Sequence, residues 1–230
     1  MRILITILFF LFFWTQAKSQ DFKASVAYKY LYSNQWDKAI QTYNFSRPFI
    51  VEKQPLLDHG TNFSISYIFN SSKSLKHGID FSYSYFRSSS DNENLINVLN
   101  LHFLDIGYIL HYKFNGKINS FYTDFILSAT SSGMYRKING EPFVFDETNA
   151  KALGIGGNLS VRMGYYLNLK RMCYVSPFLS LGYSPYFYSP NTEAIINQTK
   201  GLTSKNWTSI LTSQIGLSFV SIPKNRTGYN

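Results

Sequence analysis

Cysteine is almost absent: Cys173 stands alone among 230 residues. A single thiol excludes an internal disulfide framework and a thiolate metal cluster. The four histidines, His59, His77, His102 and His111, are scattered without metal-ligand spacing, so neither a metal site nor a cofactor is expected. Acidic residues are scarce, with 13 Asp and Glu against 22 Lys and Arg and a formal charge of +9. Beyond the N-terminus no apolar run is long enough for a spanning helix. A mean hydropathy of −0.13 excludes a bundle of membrane helices. It does not exclude a strand-built membrane protein, in which only one face of each strand is apolar.

The N-terminus reads as a targeting segment. Arg2 is a charged n-region, Ile3 to Trp14 an apolar h-region, and Ala17-Lys18-Ser19 a small-x-small cleavage site. The predicted organisation is a signal peptide over 1–19, one domain over 20–222 and a tail over 223–230. Removing Arg2 and Lys18 takes the charge from +9 to +7. A basic balance can signal nucleic acid, but an exported chain meets anionic headgroups instead. Phospholipid and lipopolysaccharide are the expected partners, and no nucleic acid is.

What the chain has in abundance is aromatics, at 18 %, with 18 Tyr and 20 Phe. They fall on a two-residue period, which marks strands with unlike faces. Leu104 to Ala129 shows it best. Leu104, Ile106, Tyr108, Leu110, Tyr112 and Phe114 alternate with Asp105, Gly107, Ile109, His111 and Lys113. Then Asn115-Gly116, a primed-turn signal, leads to Phe121, Thr123, Phe125, Leu127 and Ala129 on one face and Tyr122, Asp124, Ile126 and Ser128 on the other. The same design predicts strands over Phe22–Tyr32, Thr61–Phe69, Gly78–Arg87, Leu153–Leu167, Cys173–Tyr183 and Trp207–Ile222. Upstream of Leu104 the apolar phase changes to Leu99, Leu101 and Phe103. Either a bulge lies near Phe103 or the strand projects above a membrane there.

These eight strands are joined by short polar turns and long loops in alternation. The long connections are Ser33–Gly60, Ser88–Asn97, Ser131–Lys151 and Ser184–Asn206. The short turns hold Lys73, Lys76, Lys117, Lys170 and Arg171 and no acid. Gly107, Gly154, Gly156, Gly164, Gly182 and Gly216 all share the inward phase, as a narrow side-chain-filled barrel needs. Pro177 removes a ladder donor inside a strand and predicts a bulge or break there. The fold class expected is therefore all-β, an eight-stranded antiparallel up-and-down transmembrane β-barrel, monomeric. With its signal peptide and alternating runs the chain resembles the small Gram-negative outer-membrane β-barrel proteins. The strand ending in Phe219 is similar to the terminal strand read by barrel-insertion machinery, a further implied partner, although here Ser221 to Asn230 continue beyond the aromatic. The family includes pores, surface-binding proteins, secretion accessories and a few lipid-modifying enzymes, so the fold leaves function open.

Two groups of residues stand out. Lys23, Lys29, Asp80, Asp105, Asp124, Arg162 and Gln214 share the inward phase. Buried charges of both signs must pair, so Lys29, Asp80, Asp105, Asp124 and Arg162 predict an ion-pair plug, with a gated conduction path as the alternative. Asp124 and Arg162, on neighbouring strands, are the expected pair. In the first long loop Trp36, Tyr43, Phe45, Arg47 and Phe49 either contact a surface ligand or secretion partner, or fold down to cap the barrel mouth. His102 and Asp105 are three apart and face opposite sides of a strand, and no His-x-Ser pattern is present, so no catalytic residue is assigned. Gly154-x-Gly156-Gly157 precedes no helix and reads as thin wall, not a phosphate loop. The Asn-x-Ser/Thr sites at Asn62 and Asn206 reflect an Asn- and Ser-rich chain. The function expected is non-enzymatic, structural or surface-binding. A lipid-modifying enzyme and a small-solute channel are the alternatives.

Overall fold

The computed structural model describes residues 21–69, 74–92, 95–114, 120–142, 152–170, 173–197 and 207–221. The expected signal segment and C-terminal tail lie outside them. Alternation produces strands β1 Asp21–Tyr32, β2 His59–Phe69, β3 Leu75–Asn92, β4 Leu95–Lys113, β5 Phe121–Ile138, β6 Glu141–Pro142, β7 Ala152–Tyr165, β8 Leu167–Lys170, β9 Cys173–Tyr188 and β10 Trp207–Ser221. Two helices, α1 Asn34–Phe45 and α2 Thr192–Asn197, lie in the connections before β2 and β10. Each long strand pairs antiparallel with the next, and β10 also pairs with β1 along its length, from Phe22↔Ser221 to Tyr32↔Leu211. The sheet therefore closes into a barrel of eight staves. β8 completes the β7 stave after a break at Tyr166, and β6 is a two-residue extension beside β5.

The barrel is inside-out relative to a water-soluble one. β1 puts Phe22, Val26, Tyr28, Tyr30 and Tyr32 outside and buries Asp21, Lys23, Ser25, Ala27, Lys29 and Leu31. More than thirty large apolar side chains on the staves and cap face outward. Leaving one such side chain in water forfeits ~1.5–3 kcal/mol. Over the whole belt that far exceeds the ~5–15 kcal/mol net stability of a folded domain, so the belt lies in lipid.

Above the belt the pattern reverses. Leu99, Leu101 and Phe103 turn inward and are buried, whereas Arg87 and Lys137 take the outward phase, Arg87 exposed and Lys137 half-buried. The ladders of β4 with β3 and β5 run through Phe103 without a shift. The phase change is thus no bulge: the strand projects above the apolar belt, where its outward face carries His102 and Asn100 in place of the belt's apolar side chains.

This projection lengthens several strands beyond their expected ends. Ser88–Asn97 is not a long loop, because β3 and β4 stay paired up to Asn92↔Leu95. Residues 131–138 continue β5, and 184–188 continue β9. Pro177 does not break β9, which pairs with β10 on both sides of Leu217↔Pro177. Across from it the β7 ladder ends at Gly164↔Phe178 and β8 resumes at Leu167↔Val175, so the lost donor coincides with a gap in the neighbouring stave. The bulge lies higher, where β9 inserts one extra residue near Pro185 and Tyr186 against both neighbours. The inward glycines make room for rings: a Cβ at Gly164 would lie 2.5 Å from the Tyr122 hydroxyl, and one at Gly154 2.5 Å from the Phe187 ring.

Candidate functional site

The lower lumen is crossed by charged struts. Lys23 Nζ on β1 reaches Asp124 Oδ2 on β5 at 2.7 Å, and both side chains are fully buried. β1 and β5 stand on opposite sides of the eight-stave ring, so this pair spans the lumen. His111 Nδ1 holds the other Asp124 oxygen at 2.6 Å, and Tyr122 lies under Lys23 with its ring centroid at 4.0 Å. Arg162 on β7 lies between two carboxylates, Asp80 Oδ1 at 3.6 Å and Asp124 Oδ2 at 3.7 Å. Its Nη2 also donates to Ser64 Oγ, across the ring, at 3.5 Å. Ser66 donates to Asp80. Below them Lys76 pairs with Asp21. Tyr122, Tyr166 and Tyr174 with Val220 form an aromatic floor.

The expected Asp124–Arg162 pair is present but is the weaker contact of Asp124. Below the plug Lys23, Lys29, Lys76 and Arg162 stand against Asp21, Asp80, Asp105 and Asp124, so the formal charges balance there, and Arg136, buried higher at the mouth, adds one further positive charge. Lys29 and Asp105 sit higher. Lys29 Nζ donates to Ser84 Oγ at 2.9 Å, and Thr130 donates to Asp105. They line a small cavity with Phe103, Asn158, Ser184 and Thr212. Gln214, also inward, is half-buried on β10. His111, Lys76 and Asp21 were not among the predicted site residues. Alternation extended one step below Gly78 puts Lys76 inward, and it puts His111 on the same face as Asp105.

The mouth is closed by the first connection. In α1 the residues Trp36, Ala39, Ile40 and Tyr43 recur at i, i+3, i+4 and i+7, which makes one apolar helix face, and all four are buried. Trp36 stacks on Phe103 at 6.0 Å between centroids and meets Phe187 edge-on. Leu31, Leu57, Phe86, Leu99, Leu101, Ile195, Ile196 and Ile210 complete this plug. A polar clasp pins it. Arg136 donates from Nε to Asn97 Oδ1 at 2.6 Å, from Nη2 to Tyr43 Oη at 3.1 Å, and from Nη1 to the Ile196 carbonyl at 3.0 Å. Gln54 Oε1 accepts from Asn97 Nδ2 at 2.8 Å and from Ser90 Oγ at 2.9 Å. Arg136 lies above the apolar belt. Burial lowers its pKa, opposed chiefly by the Tyr43 hydroxyl.

Of the five aromatic-loop candidates, Trp36 and Tyr43 thus belong to the cap. Arg47 lies over the Tyr43 ring at 4.2 Å and donates to the Asn197 carbonyl at 3.2 Å. Phe45 and Phe49 point away, 89 % and 77 % exposed, and beside them Val51 is 94 % exposed.

No protein-family profile and no curated protein matches the chain. Among solved structures it is similar to Neisserial surface protein A, at 13 % identity and TM-score 0.52, covering 88 % of this chain and 96 % of that one. The fold is that of a small outer-membrane β-barrel. The barrel is also similar to OprG from Pseudomonas aeruginosa, at 11 % identity and TM-score 0.44 over 88 % of this chain and 96 % of that one. It shares 9 % identity and a TM-score of 0.43 with the outer membrane protease OmpT from Escherichia coli, over 89 % and 96 % of the two chains. In this barrel the wall itself separates His102 from Asp105. Asp105 faces the lumen, whereas His102 is on the outer surface, bonded through Nδ1 to Tyr83 and through Nε2 to the Tyr135 hydroxyl at 3.2 Å.

Proposed function

We propose that the chain is a non-enzymatic surface-binding protein: a barrel plugged by its ion-pair network that presents a loop-end crown to an extracellular partner. The observation that carries this reading is the exposure of Phe45, Phe49 and Val51 within seven residues of an otherwise anchored cap. Large apolar side chains left in water on a rigid support are a feature of contact surfaces. The cap residues Trp36, Tyr43 and Arg136 hold that surface in place, so binding would not have to order the loop first.

Two measurements test the reading. In a Cys173→Ser background, Phe49→Cys is expected to react with a membrane-impermeant maleimide on intact cells. Reaction only after permeabilisation would invert the topology and end the proposal. The purified barrel is then screened against extracellular glycans and matrix proteins. A supporting ligand loses binding in the Phe45→Ser, Phe49→Ser, Val51→Ser triple variant. A set of ligands all bound equally by that variant would contradict the crown's role.

A further inference from the structure

A second surface lies on the outer wall, below the crown and above the apolar belt, where β3, β4 and β5 leave the membrane. The ladders fix its layout as outward rungs. Tyr85, His102 and Gly133 form one, Arg87, Asn100 and Tyr135 the next, and Ser89, Val98 and Lys137 the third, with Asn100 and Val98 themselves buried. Immediately below are Tyr83 and Leu104, both about half exposed to the lipid side. Rings make the lower part a platform. His102 stacks on Tyr135 at 5.3 Å and 12°, Tyr85 packs on His102 at 4.9 Å, and Tyr83 lies 5.8 Å away. The Tyr85 hydroxyl donates to Asn100 Oδ1 at 2.7 Å, which fixes that ring.

Cations flank the platform. Arg87 is exposed and Lys137 half-buried, both on the outward phase, and neither is within salt-bridge distance of a carboxylate among the described residues. Two strand spacings across and one rung up set their backbones ~12 Å apart. At Gly133, within the platform, a Cβ would meet nothing within 4 Å, so the wall has a notch beside His102.

We propose that this face binds the headgroup of a glycolipid whose sugars carry two phosphates. Sugar faces lie on the aromatic platform, the phosphates meet Arg87 and Lys137, and an acyl chain runs down past Leu104. The height is right, since the platform sits where acyl chains end and headgroups begin. The chemistry fits as well: two cations with no carboxylate within salt-bridge distance among the described residues complement phosphate, and flat rings offer a sugar its apolar contact. A zwitterionic or singly charged phospholipid would use one cation and leave the platform uncovered. The inference depends on the membrane placement of the wall and not on the crown, so its failure would leave the surface-binding reading untouched.

The experiment measures lipid binding to the full barrel in nanodiscs by native mass spectrometry. The probes are bisphosphorylated lipid A, its monophosphoryl form and phosphatidylglycerol. The bisphosphorylated lipid is expected to bind saturably, and the monophosphoryl form about fivefold more weakly, the factor for one lost charge contact near a membrane. Arg87→Gln and Lys137→Gln should each cost a similar factor, while Lys38→Gln on the cap changes nothing. Gly133→Val should abolish binding by filling the notch while leaving the heat-dependent gel shift unaltered. If that variant fails to fold, the two charge substitutions decide alone. Equal binding of phosphatidylglycerol, or full affinity in both Arg87→Gln and Lys137→Gln, would overturn the proposal.

Discussion

At the residue scale the interior is governed by the cost of a bare charge. Lys23 and Asp124 are fully buried at 2.7 Å, and removing one member of such a pair costs on the order of 3–5 kcal/mol. Lys23→Ala is therefore expected to lower the urea midpoint in detergent sharply. Lys23→Met with Asp124→Leu should be milder, because it removes both charges and keeps volume. Arg162→Ala should cost less than Lys23→Ala, since Asp124 keeps its closer partners Lys23 and His111 while Asp80 keeps the Ser66 hydroxyl. A midpoint lowered more by Arg162→Ala than by Lys23→Ala would reverse this ranking. Close packing sets a second expectation. Gly164→Val places methyls against Tyr122, and overpacking of this kind costs ~1–3 kcal/mol. Relief by Tyr122→Ala in the double variant would identify the ring as the cause.

At the scale of elements, α1 decides whether the mouth is shut. Trp36 is 1 % exposed between Phe103 and Phe187. Truncating such a ring costs ~3–5 kcal/mol, more than a twelve-residue helix can supply by itself. Trp36→Ala is thus expected to release the cap while the staves stay paired. Proteolysis within residues 33–58 should accelerate, and the heat-dependent gel shift should persist. Loss of both together would mean that cap and barrel fold as one unit. The elements also explain what was legible in the sequence. Inside the bilayer one face must be apolar, so alternation marked every stave from Phe22 to Phe219. Above the bilayer that rule inverts, with Leu99, Leu101 and Phe103 inward and Arg87 and Lys137 outward, so apolar-out alternation gives out before β3 and β5 end. The Trp36, Ala39, Ile40, Tyr43 spacing of α1 was present in the sequence, but as aromatic content it did not separate a capping face from a binding one. Arg136 was hidden by the same early end of β5. Lys23 was legible as inward, but its partner across the ring was not, because spacing along a chain carries no information about opposite staves.

At the scale of the whole molecule, closure, struts and cap act on one property, the permeability of the lumen. An eight-stave ring leaves an interior that side chains can fill. Here it is filled in three layers: the tyrosine floor with Lys76 and Asp21, the Lys23–Asp124 and Arg162 struts, and the Trp36 plug. Below the plug four buried cations face four buried carboxylates, so that stretch has no field of one sign to draw an ion through. On the proposed reading function falls to the outer surfaces, the crown and the wall. The most direct test is single-channel recording of the refolded protein in a planar bilayer at high salt, with Lys23→Ala and Trp36→Ala recorded alongside. The account predicts no unitary current from the wild type and at most brief openings in the two variants, which lose a strut or the cap. Steady wild-type conductance, with ion preference altered by Lys23→Gln and the urea midpoint unchanged, would contradict it.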